Sequence, residues 1–332
     1  MFQVNIPDRS TIEKMLMARP PVFSPLLDEV LPPARWRNIP FSTVTVDITS
    51  RNTTNVPQVR PGGPGYVQPA DDSLWRSFQP NSIRLVDHMD GATVNRLKDL
   101  DPGYMTSEKA EKYQNMRDNM RLTREAMLAR ALYGTYTYFV NQQLGIALDT
   151  TTIGTVADGT ITTSFDAVGA AWGSIRAAWD EMKLAMKLAS GGRFGNADRN
   201  LVTYVGDDVW PVLLELIGSS TLLNTPQAQD GVWNAFGMRF RNISGDYITY
   251  ANGRTGTAPY ITAKTAVMVD LSGGHMGRYL SVDDLDANLA PSEFFAKEWK
   301  QNDPSGLFLL SEQKPFIFPD TRAISVCPNA LE

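Results

Sequence analysis

Twelve of the 21 prolines in this 332-residue chain fall within the first 80 residues. No other feature restricts the fold as much. Proline fixes φ, lacks an N–H and disfavours helix at the residue before it. Long helices and central strands are therefore excluded from most of this quarter. Residues 20–40 carry Pro20, Pro21, Pro25, Pro32, Pro33 and Pro40 between Val22, Phe23, Leu26, Leu27, Val30, Leu31 and Trp36. Such a segment is extended, yet too apolar for a solvated linker, because disorder goes with low hydrophobicity. It reads as an arm that must lie on another surface, its own body or a neighbouring subunit. Ahead of it, Ser10 to Ala18 predicts one short helix, with Ser10 as N-cap, Glu13 completing a capping box, and Pro20-Pro21 ending it.

Beyond the arm, residues 41–50 alternate, with Val44, Val46 and Ile48 on one face, which predicts a strand. Residues 51–72 hold Pro57, Pro61-Gly62-Gly63-Pro64-Gly65 and Pro69. A second strand-like stretch runs from Ser73 to Val86. Two strands joined by such a segment describe a long protruding hairpin. Loops of that length are uncommon in compact domains and usually serve a function or are disordered.

Periodicity changes after residue 100. From Ser107 to Leu144, Tyr113, Met116, Met120, Thr123, Met127, Ala131, Gly134 and Tyr138 step by three and four, predicting a helix of ~57 Å. Gly134 is its weak point, at roughly 1 kcal/mol against Ala. Lys109, Lys112, Arg117, Arg121, Arg124 and Arg130 lie on the opposite face, mixed with Glu108, Glu111, Asp118 and Glu125, as on a solvated face or a subunit contact. A second helix is predicted from Phe165 to Ala189, stopped by Gly191-Gly192. Leu201 to Val205 reads as a buried strand and Val209 to Ile217 as a short helix. Residues 237–280 alternate short strands with glycine-rich turns. Two further stretches, Leu307 to Phe318 and Ala323 to Val326, also read as strands. The class is α+β, and the length suggests about two domains at ~150 residues each.

Recognised chemistry is sparse. The net charge of -5 argues against nucleic acid as the main partner. One cysteine, Cys327, excludes a disulfide framework, and two histidines, His88 and His275, leave little for a metal centre. Neither a nucleophile elbow nor a P-loop occurs. The prolines of residues 61–65 remove N–H donors that would cradle a phosphate. Asp283-Asp284-Leu285-Asp286 lacks the ligand spacing of a calcium loop and reads as an acidic turn. Asp87-His88-Met89-Asp90 reads as a surface turn, His275 as a loop residue and Cys327 as a buried, inert thiol. No apolar run approaches the ~18 residues of a membrane span. Met1 to Pro7 carries no basic and apolar leader, so no secretion signal is expected. No cofactor and no metal are expected. What stands out is reach: an apolar arm, a long hairpin and a long helix.

These residues resemble a known family. Gly62-Gly63 with Pro64-Gly65-Tyr66-Val67 and Pro69 is similar to the glycine-rich hairpin tip of the tailed-bacteriophage major capsid proteins of the phage lambda head-protein family. Gln114-Asn115-Met116-Arg117-Asp118 resembles a run in that family's long helix. Trp299, Asp303-Pro304 and Pro315 fall in its order and approximate spacing. The element order fits nearly the whole chain, with residues 150–290 matching in order rather than in motif.

The resemblance implies a Hong Kong 97-type capsid fold. Residues 1–40 would form an N-terminal arm and 41–95 an extended loop. A peripheral domain would cover 96–196, with a spine helix at about 107–144. An axial domain would cover 197–285, and 286–332 would return to the peripheral domain. The implied function is a structural subunit that assembles with itself, as pentamers and hexamers, into an icosahedral shell around viral DNA, which it would hold only loosely. An encapsulin-like compartment shell of the same fold is the alternative, and an α+β enzyme a distant third. Implied partners are a decoration protein, a scaffold and a portal, with no membrane. The place would be the virion capsid, assembled in the host cytoplasm. Expected interface residues are Arg60, Gly62, Gly63, Pro64, Gly65, Tyr66 and Pro69 in the loop, and Phe23, Leu26, Leu27 and Trp36 in the arm. Tyr113, Met116, Met120 and Met127 are expected to pack the spine helix.

Overall fold

The computed structural model describes residues 20–50, 72–100, 102–138, 149–152, 164–165, 172–219, 228–229, 231–235, 237–251, 254–302 and 305–331. The expected helix Ser10 to Ala18 and the hairpin tip, Arg60 to Pro69 included, lie outside them. The chain divides into two compact units, each drawn from segments distant in sequence. The first comprises Met1–Ser42, Pro80–Leu128 and Met276–Phe318; the second comprises Thr43–Gln79, Ala129–His275 and Pro319–Glu332.

The first unit is built on an antiparallel sheet of Phe295–Asn302, Ser305–Gln313 and Ile83–Asp90, in that order. Side chains alternate across it. Met89, Ala296, Leu307 and Leu309 form one face and pack with Tyr113 and Met116 of the helix Pro102–Ala131. Met120 and Met127 of that helix are also buried. A shorter helix, Gly91–Leu100, precedes it. In the arm, Pro25 opens a six-residue helix, Pro25–Val30, where its missing N–H costs nothing. Trp36–Asn38 then pairs in parallel with Met276–Tyr279, which pairs antiparallel with Pro315–Phe318.

The second unit holds a six-stranded sheet in the order Ile324–Cys327, Ala266–Asp270, Leu201–Val205, Met238–Asn242, Val232–Ala235, Ala228–Gln229. Leu201–Val205 and Ala266–Asp270 are buried along their whole length, as expected of a sheet covered on both faces. Ile175, Trp179, Met182 and Met186 of the helix Trp172–Ala189 pack with this sheet, and so do Val209 and Leu213 of the helix Val209–Ser219. The unit also holds the antiparallel pairs Asp246–Ala251 with Arg254–Pro259, Val44–Ser50 with Asp72–Phe78, and Thr135–Tyr138 with Asp149–Thr152.

Several sequence expectations need correction. The long helix begins at Pro102 and ends at Ala131, not at Leu144. Gly134 takes a left-handed φ of 79°, and Thr135–Tyr138 is a strand paired with Asp149–Thr152. The strand read from Ser73 to Val86 is two strands parted at Pro80. The hairpin thus ends at Phe78, and Ile83–Asp90 belongs to the first unit rather than to an extended loop over 41–95. The helix expected in a peripheral domain ending at 196 packs instead with the sheet of residues 201–270, because its apolar stripe meets theirs. The turn expected at Asp87-His88-Met89-Asp90 is strand.

Candidate assembly surfaces

The arm is the first surface. Leu26, Leu27, Val30 and Leu31 are buried within the first unit. Trp36 stacks on Tyr279 and its indole N–H donates to the Leu31 carbonyl at 3.1 Å. Arg124 sits over both rings, donates to the Tyr279 hydroxyl and pairs with Glu293 at 3.1 Å. Burial pushes the Tyr279 phenol well above its ordinary range, the Arg124 charge opposing. Of the four arm residues expected to touch a neighbour, Leu26, Leu27 and Trp36 are therefore spent on the chain's own first unit. Phe23 is 70% exposed.

The hairpin is the second surface. Val44 pairs opposite Phe78, and the ladder continues to Ser50 opposite Asp72. Val44, Val46 and Phe78 are buried, whereas Trp75 is 65% exposed. Of the alternation read over residues 41–50, Val44 and Val46 are thus the inward positions and Thr45 an outward one. Arg60, Gly62, Gly63, Pro64, Gly65, Tyr66 and Pro69 fall between the two strands, outside the described residues.

The third surface is the face of the three-stranded sheet turned away from the long helix. His88, Phe308 and Trp299 stand in one row across its three strands. Ring centroids are 5.0 Å apart for His88 and Phe308, and 5.4 Å for Phe308 and Trp299. Val86 on the edge strand is exposed. The turn at residues 283–289 is tied down by cations. Lys314 meets Asp283 at 3.0 Å, Lys297 meets Asp284 and Asp286 at 2.6 and 2.8 Å, and Arg84 meets Asp284 at 3.4 Å. Burial opposes ionisation of Asp284. The hydrogen bonds from Lys297 and the Asp286 N–H outweigh it and hold the carboxyl below its usual range. At the crest, Leu285 is 94% exposed, and Leu289 adopts a left-handed φ of 57°. A non-glycine residue held there costs of order 1–3 kcal/mol, and such strain clusters at functional sites.

Two residues of the basic face of the long helix, expected on a solvated face or a subunit contact, are buried instead. Lys109 is buried and pairs with buried Glu298 at 2.7 Å, and the Tyr113 hydroxyl meets the same carboxylate at 3.3 Å. Burial, and after it Glu298, pushes the Tyr113 phenol well above its usual range. Arg124 is buried as well. Only the distant partners reveal this, so spacing within the helix could not. His275 is likewise buried. Its Nδ1 accepts the Asp320 N–H at 3.1 Å, so Nε2 carries the proton and donates to the Asp270 carbonyl at 2.9 Å. That arrangement is a structural clamp. Cys327 is buried, as expected, and burial pushes its thiol up to about 11.

Among the described residues, no group of three or more His, Cys, Asp or Glu could hold a metal ion. No described helix is long and apolar enough to cross a membrane. A cavity of about 320 Å³ lies between Arg130, Tyr133, Tyr247 and Tyr260 of the second unit. Arg130 Nε donates to the Tyr247 hydroxyl at 2.8 Å across it.

The comparisons with known proteins agree with one another. The family model described as phage major capsid protein E matches residues 8–326. No curated protein matches the sequence. Among solved structures, the putative capsid protein of a prophage of E. coli CFT073 is similar, with 13% identity, a TM-score of 0.65, and coverage of 98% of this chain and 100% of that one. The capsid asymmetric unit of cyanophage A-1(L) matches with 13% identity, a TM-score of 0.53, and coverage of 94% of each chain. The capsid of a native GTA particle matches with 12% identity, a TM-score of 0.52, and coverage of 94% of this chain and 93% of that one. At these identities the structural likeness shows the fold, which is the Hong Kong 97-type fold of phage capsids.

Proposed function

Because the chain belongs to the phage major capsid protein E family, and so is a structural subunit of a phage capsid, we propose that its hairpin and the turn at residues 283–289 join neighbouring copies. The copies form pentamers and hexamers of a closed shell around the viral DNA. The match of the family model to residues 8–326 carries the capsid role. Family membership implies a structural role rather than a catalytic one.

The geometry supports the interlocking. A heterologous contact repeated by rotation either closes or runs on as a filament. Single contacts of modest area let misplaced subunits leave, and loops laid over neighbours then add area and avidity. Trp75 on the hairpin and Leu285 on the turn are large apolar side chains held in solvent by ordered backbone. Isolated exposed apolar residues are ordinary, but Trp75 lies within the hairpin ladder opposite Asp47 and Leu285 within the tied-down turn. Prolines 57, 61, 64 and 69 limit the chain entropy lost when the tip docks. The net charge of -5 suits a shell that encloses DNA without holding it tightly. Assembly in the host cytoplasm, with scaffold and portal and with a decoration protein added later, completes the reading.

Sedimentation of the purified chain tests it. Species far heavier than a hexamer are expected under some assembly condition. Monomers and dimers alone under every condition would overturn the reading.

A further inference from the structure

The arm is seated on the long helix through its backbone as well as its side chains. The Val22 N–H donates to Asp118 Oδ1 at 3.2 Å, and the Leu26 N–H donates to Glu125 Oε1 at 3.0 Å. Between these points Arg121 pairs with Asp28, and its Nε donates to Ser24 Oγ at 3.2 Å. Asp118, Arg121 and Glu125 are spaced by three and four, so they form one ridge along the helix. The grips differ in kind. The Asp28 side chain is 41% exposed, so its pairing with Arg121 is partly screened by water. Glu125 is 1% exposed, where an ionised carboxylate is costly.

Few charges relieve that cost. Arg121 favours ionisation of Glu125 and Asp28 opposes it. Arg124, the preceding residue, is turned to Tyr279 and Glu293. Asp118 is engaged by Val22 and by Gln114 Nε2. Burial pushes the Glu125 carboxyl up to about 7, against the pull of the Leu26 N–H and Ser24.

We propose that Glu125 is a pH-operated latch for the arm: its protonated carboxyl closes residues 22–31 onto the long helix, and its ionisation loosens them. The direction follows from linkage. The latch requires that undocking expose the carboxyl and return it towards its ordinary value of 4.5. Docking is therefore strongest below about 4.5. It weakens by up to tenfold per pH unit as pH rises towards about 7, and is flat above. A loosened arm could then reach a second copy. That consequence alone rests on the capsid reading.

Hydrogen–deuterium exchange on the unassembled full-length chain tests the latch, followed on peptides covering residues 22–31 and corrected for intrinsic exchange. Between about pH 5 and about 8, arm protection should fall at least tenfold in the wild type. In Glu125→Gln, which keeps an acceptor for the Leu26 N–H, protection should not change with pH. A flat wild-type profile, or an equal slope in the variant, would overturn the proposal. Should the variant not fold, side-chain ¹³C titration of the glutamates in the wild type decides. One carboxyl titrating near 7 sustains the latch, and all titrating near 4.5 contradicts it. None of these readouts depends on whether particles form, so failure of the latch and failure of the capsid role are separable.

Discussion

Trp36 lies flat on Tyr279, with ring centroids 4.5 Å apart and 20° between their planes. The stack is possible because Gly277 faces Trp36 across the parallel pairing of their strands. A Cβ at Gly277 would stand 2.5 Å from the indole. Gly277→Ala should therefore push Trp36 off Tyr279 and cost about 1–3 kcal/mol. Urea unfolding measures the loss. The Trp36 contribution to near-ultraviolet circular dichroism should fall with it.

The pair of Lys109 and Glu298 gives a sharper stability test. Lys109→Met leaves the buried Glu298 carboxylate without the Lys109 ammonium, beside the Tyr113 hydroxyl. The expected cost is about 3–5 kcal/mol, against about 0–1 for the exposed pair of Arg176 and Asp180. Thermal unfolding of Lys109→Met and Arg176→Met should rank them in that order.

Cys327 should be inert while the protein is folded. Its thiol sits near 11 and its side chain is buried, so almost no accessible thiolate exists at neutral pH. A chromogenic disulfide reagent at pH ~8 should label the native chain at least a hundredfold more slowly than the urea-unfolded chain. Rapid native labelling would mean that the strand Ile324–Cys327 opens locally.

Removing the hairpin tip separates folding from assembly. The described residues of both cores all lie outside Asn55 to Pro69, so circular dichroism and the melting temperature of the monomer should stay close to wild type after its deletion. Particles should no longer form. Normal particles from that deletion would remove the hairpin from any interlocking role.

Local patterns carried much of this fold. Alternation at Val44, Val46 and Ile48 marked the hairpin strand, and the stripe at Tyr113, Met116, Met120 and Met127 marked the packed helix face. Pairings between distant segments were not legible. Ile83–Asp90 read as part of the hairpin because nothing local shows that its partner is Ser305–Gln313. The same distance hid the burial of Lys109 and Glu125, whose partners Glu298 and the Leu26 N–H lie far along the chain. Charged residues on a helix read as solvated unless a partner is in view. The arm was legible as an apolar, extended segment needing a surface. Which surface it takes is set by Glu125, Arg121 and Tyr279, and the structure places Leu26, Leu27 and Trp36 on the chain's own first unit.

The capsid role is tested most directly by negative-stain electron microscopy of the expressed full-length chain over a range of salt and protein concentration. Hollow closed particles are expected, or sheets and tubes of the same subunit lattice when helper proteins are absent. A field of uniform monomers or dimers under every assembly condition would contradict the account.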